Sequence, residues 1–179
     1  MTTIYLIRHA QSDGTVQDES TRPLTEAGLA QADALANRLS GIAFDAVYSS
    51  PYLRAMQTVA PLGFPVVPLG DFRERAVFAD DQDESLFIKR QWADFDYALD
   101  QGESNREAQD RAISALHALV AERGNQTVAV GTHGGLLAVI LNHFDGTFGY
   151  EQYLALLPKL PCVYRLAFEA DQLVDMEEI

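Results

Sequence analysis

Short apolar runs alternate along this 179-residue chain with longer stretches whose apolar positions repeat at helical spacing. Residues 3–8 (TIYLIR) are a β-rich apolar run and predict a buried strand. Thr25 can cap a helix running to about Ser40, with Leu35, Leu39 and Ile42 on one stripe and Gly41 as its stop. Residues 44–49 (FDAVYS) predict a second strand. Pro51 stands where a first helical turn tolerates proline, so a helix follows to about Ala60. Val66 and Val67, between prolines, mark a short third strand. Ser104 followed by Glu107 is a capping box, and it opens a long helix with Ala108, Ala112, Leu116, Leu119 and Val120 on one face and Gly124 at its end. Residues 127–131 (TVAVG) predict another buried strand, and Gly134-Gly135 leads into a helix, LLAVILNH. Residues 163–168 and 173–176 read as a closing pair of strands.

Residues 71–102 are the least regular part. They hold an acidic stretch, Asp80-Asp81-Gln82-Asp83-Glu84, which reads as a solvated loop, and then a helix around residues 87–99. The alternation elsewhere predicts a three-layer α/β/α sandwich with helices on both faces of a mainly parallel sheet. No linker or internal repeat divides the chain, so residues 1–179 are expected to form one domain.

Composition narrows the class. With 47% apolar and 22% charged residues, the chain is neither disordered nor fibrous. No apolar run reaches the roughly 18 residues of a membrane span. Met1-Thr2-Thr3 lacks the basic and apolar pattern of a secretion signal, so a cytoplasmic location is expected. Cys162 is the only cysteine, which excludes an internal disulfide and a cysteine-rich zinc site; it reads as a small buried hydrophobe. The net charge of −13 repels nucleic acid and anionic membranes at long range. It does not repel a small anionic substrate from a cleft where arginines outweigh the global field.

In an open α/β sheet, ligands bind at the carboxyl ends of the strands. His9 follows the first strand directly, with Arg8 beside it. His133 follows the TVAVG strand, and Arg54 lies just after the FDAVYS strand. If those strands are parallel neighbours, two histidines and two arginines converge at one edge of the sheet. His117, inside the long helix, and His143, near a helix end, read instead as structural or exposed. The converging types suit phosphoryl transfer. Arginine forks bind phosphate oxygens bidentately. A neutral imidazole is a good nucleophile, and a second one can donate a hydrogen bond to an equatorial oxygen. This set requires no metal and no cofactor. Other chemistries lack their signals: there is no GxxxxGK[ST], GxGxxG or HExxH, and Ser12, Ser49 and Ser50 lack a nucleophile-elbow context.

Arg8-His9-Ala10-Gln11-Ser12 resembles the RHG-type signature of the histidine phosphatase superfamily, the phosphoglycerate mutase-like proteins. Residues 22–28 (RPLTEAG) are similar to the family's LTxxG segment, and residues 49–58 (SSPYLRAMQT) to its SSPxxRAxQT segment. Gly102-Glu103-Ser104 resembles its GES segment, and residues 131–135 (GTHGG) its second-histidine motif. The five stand in order over residues 4 to about 140.

The resemblance implies a phosphoglycerate mutase-like fold and a role for each residue. His9 would be the nucleophile that becomes phosphohistidine. Arg8, Arg54 and His133 would hold the phosphoryl oxygens. Arg22 stands where an arginine contacts phosphate in the short bacterial phosphohistidine phosphatases; the alternative is a loop arginine on the surface. Glu74, after the third strand, would protonate the leaving group, unless it merely pairs with Arg73 or Arg75. Two departures bear on it. Thr15 replaces a common asparagine, and Arg75-Ala76-Val77-Phe78 replaces a glycine-rich continuation, so Asp80, Asp81 and Glu103 stand as substitute acids. Glu103 also suits a helix start.

The expected activity is metal-independent hydrolysis of a small phosphate monoester. The alternatives are a mutase, which needs extra site-closing segments, a protein phosphohistidine phosphatase, and a binding module without turnover. Retention of His9, His133 and both core arginines opposes the last. Residues 71–102 are expected to cover the substrate. The sequence assigns no oligomeric state.

Overall fold

The computed structural model describes residues 1–77 and 84–179. Asp80 and Asp81 lie outside the described residues, as does the acidic stretch up to Asp83. The described strands are β1 (Thr2–Arg8), β2 (Ala46–Ser49), β3 (Val66–Pro68), β4 (Thr127–Thr132), β5 (Val163–Glu169) and β6 (Gln172–Glu178). The helices are α1 (Glu26–Arg38), α2 (Leu53–Val59), α3 (Glu84–Ala93), α4 (Asn105–Glu122), α5 (Gly134–Phe144) and α6 (Tyr150–Leu156). The strands form one sheet in the order β3-β2-β4-β1-β5-β6. The β3, β2, β4 and β1 strands run parallel, while β5 pairs antiparallel with β1 and β6 with β5.

Strand alternation sends successive side chains to opposite faces, and both faces are covered. Ile4 and Leu6 of β1 pack with Val128 and Val130 of β4 against Leu116 of α4, Ile140 of α5 and Leu156 of α6. Tyr5 and Ile7 pack with Val47 and Ala129 against Leu35 and Leu39 of α1 and Val59 of α2. Every residue of β1 is buried, as its unbroken apolar run requires. The result is the expected three-layer α/β/α sandwich. Among the described residues, no helix is long and apolar enough to cross a membrane.

Local chemistry forms the helix starts. The Thr25 hydroxyl accepts from the Gly28 N–H at 3.0 Å. At Ser104 both halves of the capping box are made: Glu107 N–H donates to the Ser104 hydroxyl at 3.1 Å, and Ser104 N–H to the Glu107 carboxylate at 2.8 Å. Cys162 is buried, and burial pushes its thiol pKa up to about 11, as expected of an inert hydrophobe.

Two helix boundaries and one whole helix depart from the expected elements. The helix after β2 starts at Leu53, because Tyr52 stays extended and lies against the site. The α3 helix ends at Ala93 rather than Leu99, where the Asp94 carboxylate accepts from the Asp96 N–H at 3.1 Å and offers the backbone a turn instead. The α6 helix has no counterpart among the expected elements. Its seven residues are too few for a helical period to register, and burial of Tyr153 and Leu156 holds it in place.

Candidate active site

Register brings the candidate residues together. Arg8 pairs with Thr132 across β1 and β4, and Ser49 pairs with Gly131 across β2 and β4. The three strands therefore end level, and His9, His133 and Ser50 leave the sheet at one edge. The ladder continues one step beyond: His9 N–H donates to the Thr132 carbonyl at 3.0 Å, and Ser50 N–H to the Gly131 carbonyl at 2.8 Å. The imidazole centroids of His9 and His133 lie 5.3 Å apart.

His9 Nδ1 is 2.7 Å from the Ala10 carbonyl oxygen. A carbonyl only accepts, so Nδ1 carries the proton and Nε2 the lone pair. Burial pushes the His9 pKa down to about 3; the Ala10 hydrogen bond opposes the shift, and the charges of Arg54, Arg8 and Arg22 add to it. His9 is thus a neutral imidazole with its basic nitrogen available. His133 is fully buried behind it, with Nε2 2.7 Å from the Ser50 hydroxyl and the Tyr52 ring 5.2 Å away. Burial first, then the neighbouring His9 and the charge of Arg54, hold its pKa well below the ordinary value.

A cleft of about 510 Å³ opens in front of these rings. Of the expected site residues, His9, Arg22, Arg54 and Glu74 line it. His133 and Arg8 do not; both are buried. Arg8 Nη1 donates to the carbonyls of Leu156 at 2.7 Å and of Leu157 and Lys159 at 3.0 Å, satisfying the C-terminal end of α6. Among the described residues, Arg8 Nε is buried without a hydrogen-bond partner, as are Arg75 Nε and His133 Nδ1.

Glu74 sits at the start of α5. Its Oε1 accepts from Arg75 N–H at 2.8 Å and Leu136 N–H at 2.9 Å, and its Oε2 from Gly135 N–H at 2.9 Å. Gly135 is required here: a Cβ on it would fall 2.7 Å from Glu74 Oε1. Glu74 therefore pairs with backbone rather than with Arg73 or Arg75. Arg73 turns instead to Glu103, at 3.4 Å. Glu103 is a poor substitute acid, because it lies outside the cleft lining and is bound by Arg111 at 2.5 and 2.9 Å. Burial raises its pKa, but the Arg111 bonds and charge, with Arg73, outweigh that and hold it below the ordinary carboxylate range. His117 and His143 do not reach the cleft.

Several residues of the site carry no signal in the sequence. Glu19 lies in the cleft wall between Arg22 and Arg54. Arg75 lines the cleft while Nη1 is held by Gln91 at 3.0 Å and by Asn105. Arg111 of α4 donates to the carbonyls of Asp71 and Arg73 and so fixes the backbone that carries Glu74. Arg75 and Arg111 act across 16 or more residues of chain, beyond the reach of any local pattern, while Glu19 meets Arg22 three residues on and Arg54 35 residues on. Among the described residues, no group of three or more His, Cys, Asp or Glu side chains gathers as metal ligands do.

Fold and site together define an α/β phosphoryl-transfer protein of the phosphoglycerate mutase-like kind. The chain belongs to the histidine phosphatase superfamily, branch 1, which it matches over residues 4–174, and it is a phosphatase. It is similar to a metal-independent phosphoserine phosphatase of Arabidopsis thaliana, 33% identical over 162 residues that cover 78% of this chain and 67% of that one. A probable phosphatase of Schizosaccharomyces pombe is 28% identical over 158 residues, covering 82% and 75%. Among solved structures, a mutant phosphoserine phosphatase from Entamoeba histolytica in complex with phosphoserine superimposes with a TM-score of 0.78 at 19% identity, covering 98% and 96% of the two chains. At that identity the superposition speaks for the fold.

Proposed function

We propose that the protein hydrolyses small phosphate monoesters through a phosphohistidine on His9, without a metal ion. The observation that carries this reading is the Nε2 lone pair of a neutral His9 in a cleft shared with the Arg22 and Arg54 guanidiniums. His9 Nε2 attacks phosphorus in line as the ester P–O bond breaks, and Glu74 gives a proton to the departing oxygen. Water then attacks the phosphohistidine and passes its proton back to Glu74. Inorganic phosphate and a neutral His9 are restored. Arg22 and Arg54 hold the phosphoryl oxygens and spread their charge; His133, buried behind His9, reaches an oxygen by exchanging its Ser50 bond, while Arg8 adds its charge. The described part of residues 71–102 covers the leaving group through Ala76, Val77, Glu84 and Ile88 of the cleft lining. The relatives that act on phosphoserine support a small phosphorylated metabolite as the substrate class.

The test is turnover of an aryl phosphate with chelator present. Wild type should release phosphate, and His9→Ala should lose at least a thousandfold in kcat, as other covalent nucleophiles do when removed. A rapid quench should trap an acid-labile phosphoryl group on wild type alone. Activity that required an added divalent cation, or that survived in His9→Ala, would refute the mechanism.

A further inference from the structure

The phosphate-binding arginines are already engaged by a side chain of the protein itself. Glu19 lies in the loop between β1 and α1. Its Oε2 is 2.7 Å from Arg54 Nη2, and its Oε1 is 2.6 Å from Arg22 Nη2. The Glu19 backbone carbonyl accepts from Arg54 Nη1 at 2.6 Å, so both terminal nitrogens of Arg54 are given to this one residue. The Arg54 side chain is 3% exposed, whereas Glu19 is 51% exposed. Among the described residues, the Glu19 carboxylate has no donor other than these two guanidiniums. The loop around it is held by other bonds. Asp18 accepts from Ser20 N–H at 2.8 Å, Arg22 Nε donates to the Val16 carbonyl at 2.8 Å, and Leu53 N–H donates to the Ser20 carbonyl at 3.0 Å. The carboxylate can therefore swing to solvent while the loop stays in place.

We propose that Glu19 is a specificity-determining residue: its carboxylate is a tethered anion that an incoming group must displace from Arg22 and Arg54, which restricts the cleft to doubly charged phosphoryl groups. This rests on the phosphatase reading above. A free monoanion that replaced Glu19 would exchange one negative charge for one. It would also compete against a carboxylate whose tether gives it a high effective concentration. A phosphate monoester brings a second charge and three acceptor oxygens for the two forks, so it wins the exchange. The same exchange lowers affinity for inorganic phosphate, because only the open fraction of the protein binds it, and so product release is eased.

The experiment compares wild type, Glu19→Gln and Glu19→Asp. Calorimetry measures the affinity for inorganic phosphate, and aryl phosphate hydrolysis measures inhibition by formate. If Glu19 holds the arginines in about 70–90% of molecules, Glu19→Gln should bind phosphate about three- to tenfold more tightly. Formate should inhibit Glu19→Gln at concentrations that leave wild type unaffected. Aspartate keeps the charge but is one methylene too short to span both guanidiniums, so Glu19→Asp should follow Glu19→Gln. Unchanged or weaker phosphate binding in Glu19→Gln would overturn the proposal. So would a Glu19→Asp protein that behaved as wild type beside a tighter Glu19→Gln, since the charge alone would then explain the effect. Absence of phosphate binding in all three proteins would overturn the phosphatase reading and this inference together, whereas equal binding in all three overturns the inference alone.

Discussion

Replacing Glu74 by glutamine separates proton donation from support of the site. The carboxylate accepts three backbone N–H bonds, two at Oε1 and one at Oε2. Glutamine keeps one carbonyl oxygen, but its amide NH₂ must then face a backbone N–H. That mismatch costs about 1–3 kcal/mol of stability and affects every substrate alike. The missing proton acts selectively. An alkyl phosphate must expel an alkoxide, so its kcat/KM should fall by about 10²- to 10⁴-fold. At about 1.36 kcal/mol per tenfold, this is roughly 3–5 kcal/mol of lost transition-state stabilisation. An aryl phosphate leaves as a delocalised phenolate and should fall by less than about tenfold. The assay is phosphate release from an alkyl and an aryl substrate by wild type and Glu74→Gln, with urea denaturation of both proteins alongside. An equal fall for the two substrates would show that Glu74 shapes the start of α5 without donating a proton, and the acid assignment would be lost.

Gly28→Ala should cost about 2–4 kcal/mol in urea denaturation and lower kcat as well. Its Cβ would collide with the Gln11 carbonyl oxygen, forcing apart the α1 cap and the segment that carries His9; a cost under about 0.5 kcal/mol would contradict that reading. Stability should also fall as pH drops from 6.5 towards 3. In that window the unfolded His9 takes up a proton that the folded one refuses, at up to about 1.4 kcal/mol per pH unit. His133 shifts in the same direction. His9→Asn should flatten the slope by one histidine's share, and identical slopes in wild type and variant, read by denaturation at about pH 7 and about pH 5, would refute the burial argument.

Three kinds of feature were legible in the chain. Residues 3–8 and 127–131 read as buried strands because a strand covered on both faces is apolar at its centre, as Ile4 to Ile7 of β1 and Val128 to Val130 of β4 are. Thr25 and Ser104 read as helix caps because a cap bonds a backbone N–H three residues away, a distance that sequence spacing encodes. His9 and His133 read as a pair because each directly follows a strand, and level strand ends put them 5.3 Å apart.

The partners of the charged groups could not be read in this way. Arg8, Arg22 and Arg54 look alike in the chain, each a basic residue in or beside a motif. Folding turns Arg8 towards the end of α6, a helix too short to predict, and binds Arg22 and Arg54 to Glu19. Folding also sends Glu74 to backbone N–H groups of α5, some 60 residues on, and Arg111 to the backbone before it. The sequence by itself determined which residue types stand at which strand ends, since periodicity and capping are set by neighbours along the chain. The tertiary structure alone decided which cation meets which anion, because an ion pair is chosen by proximity in space and by which charge burial leaves unpaired.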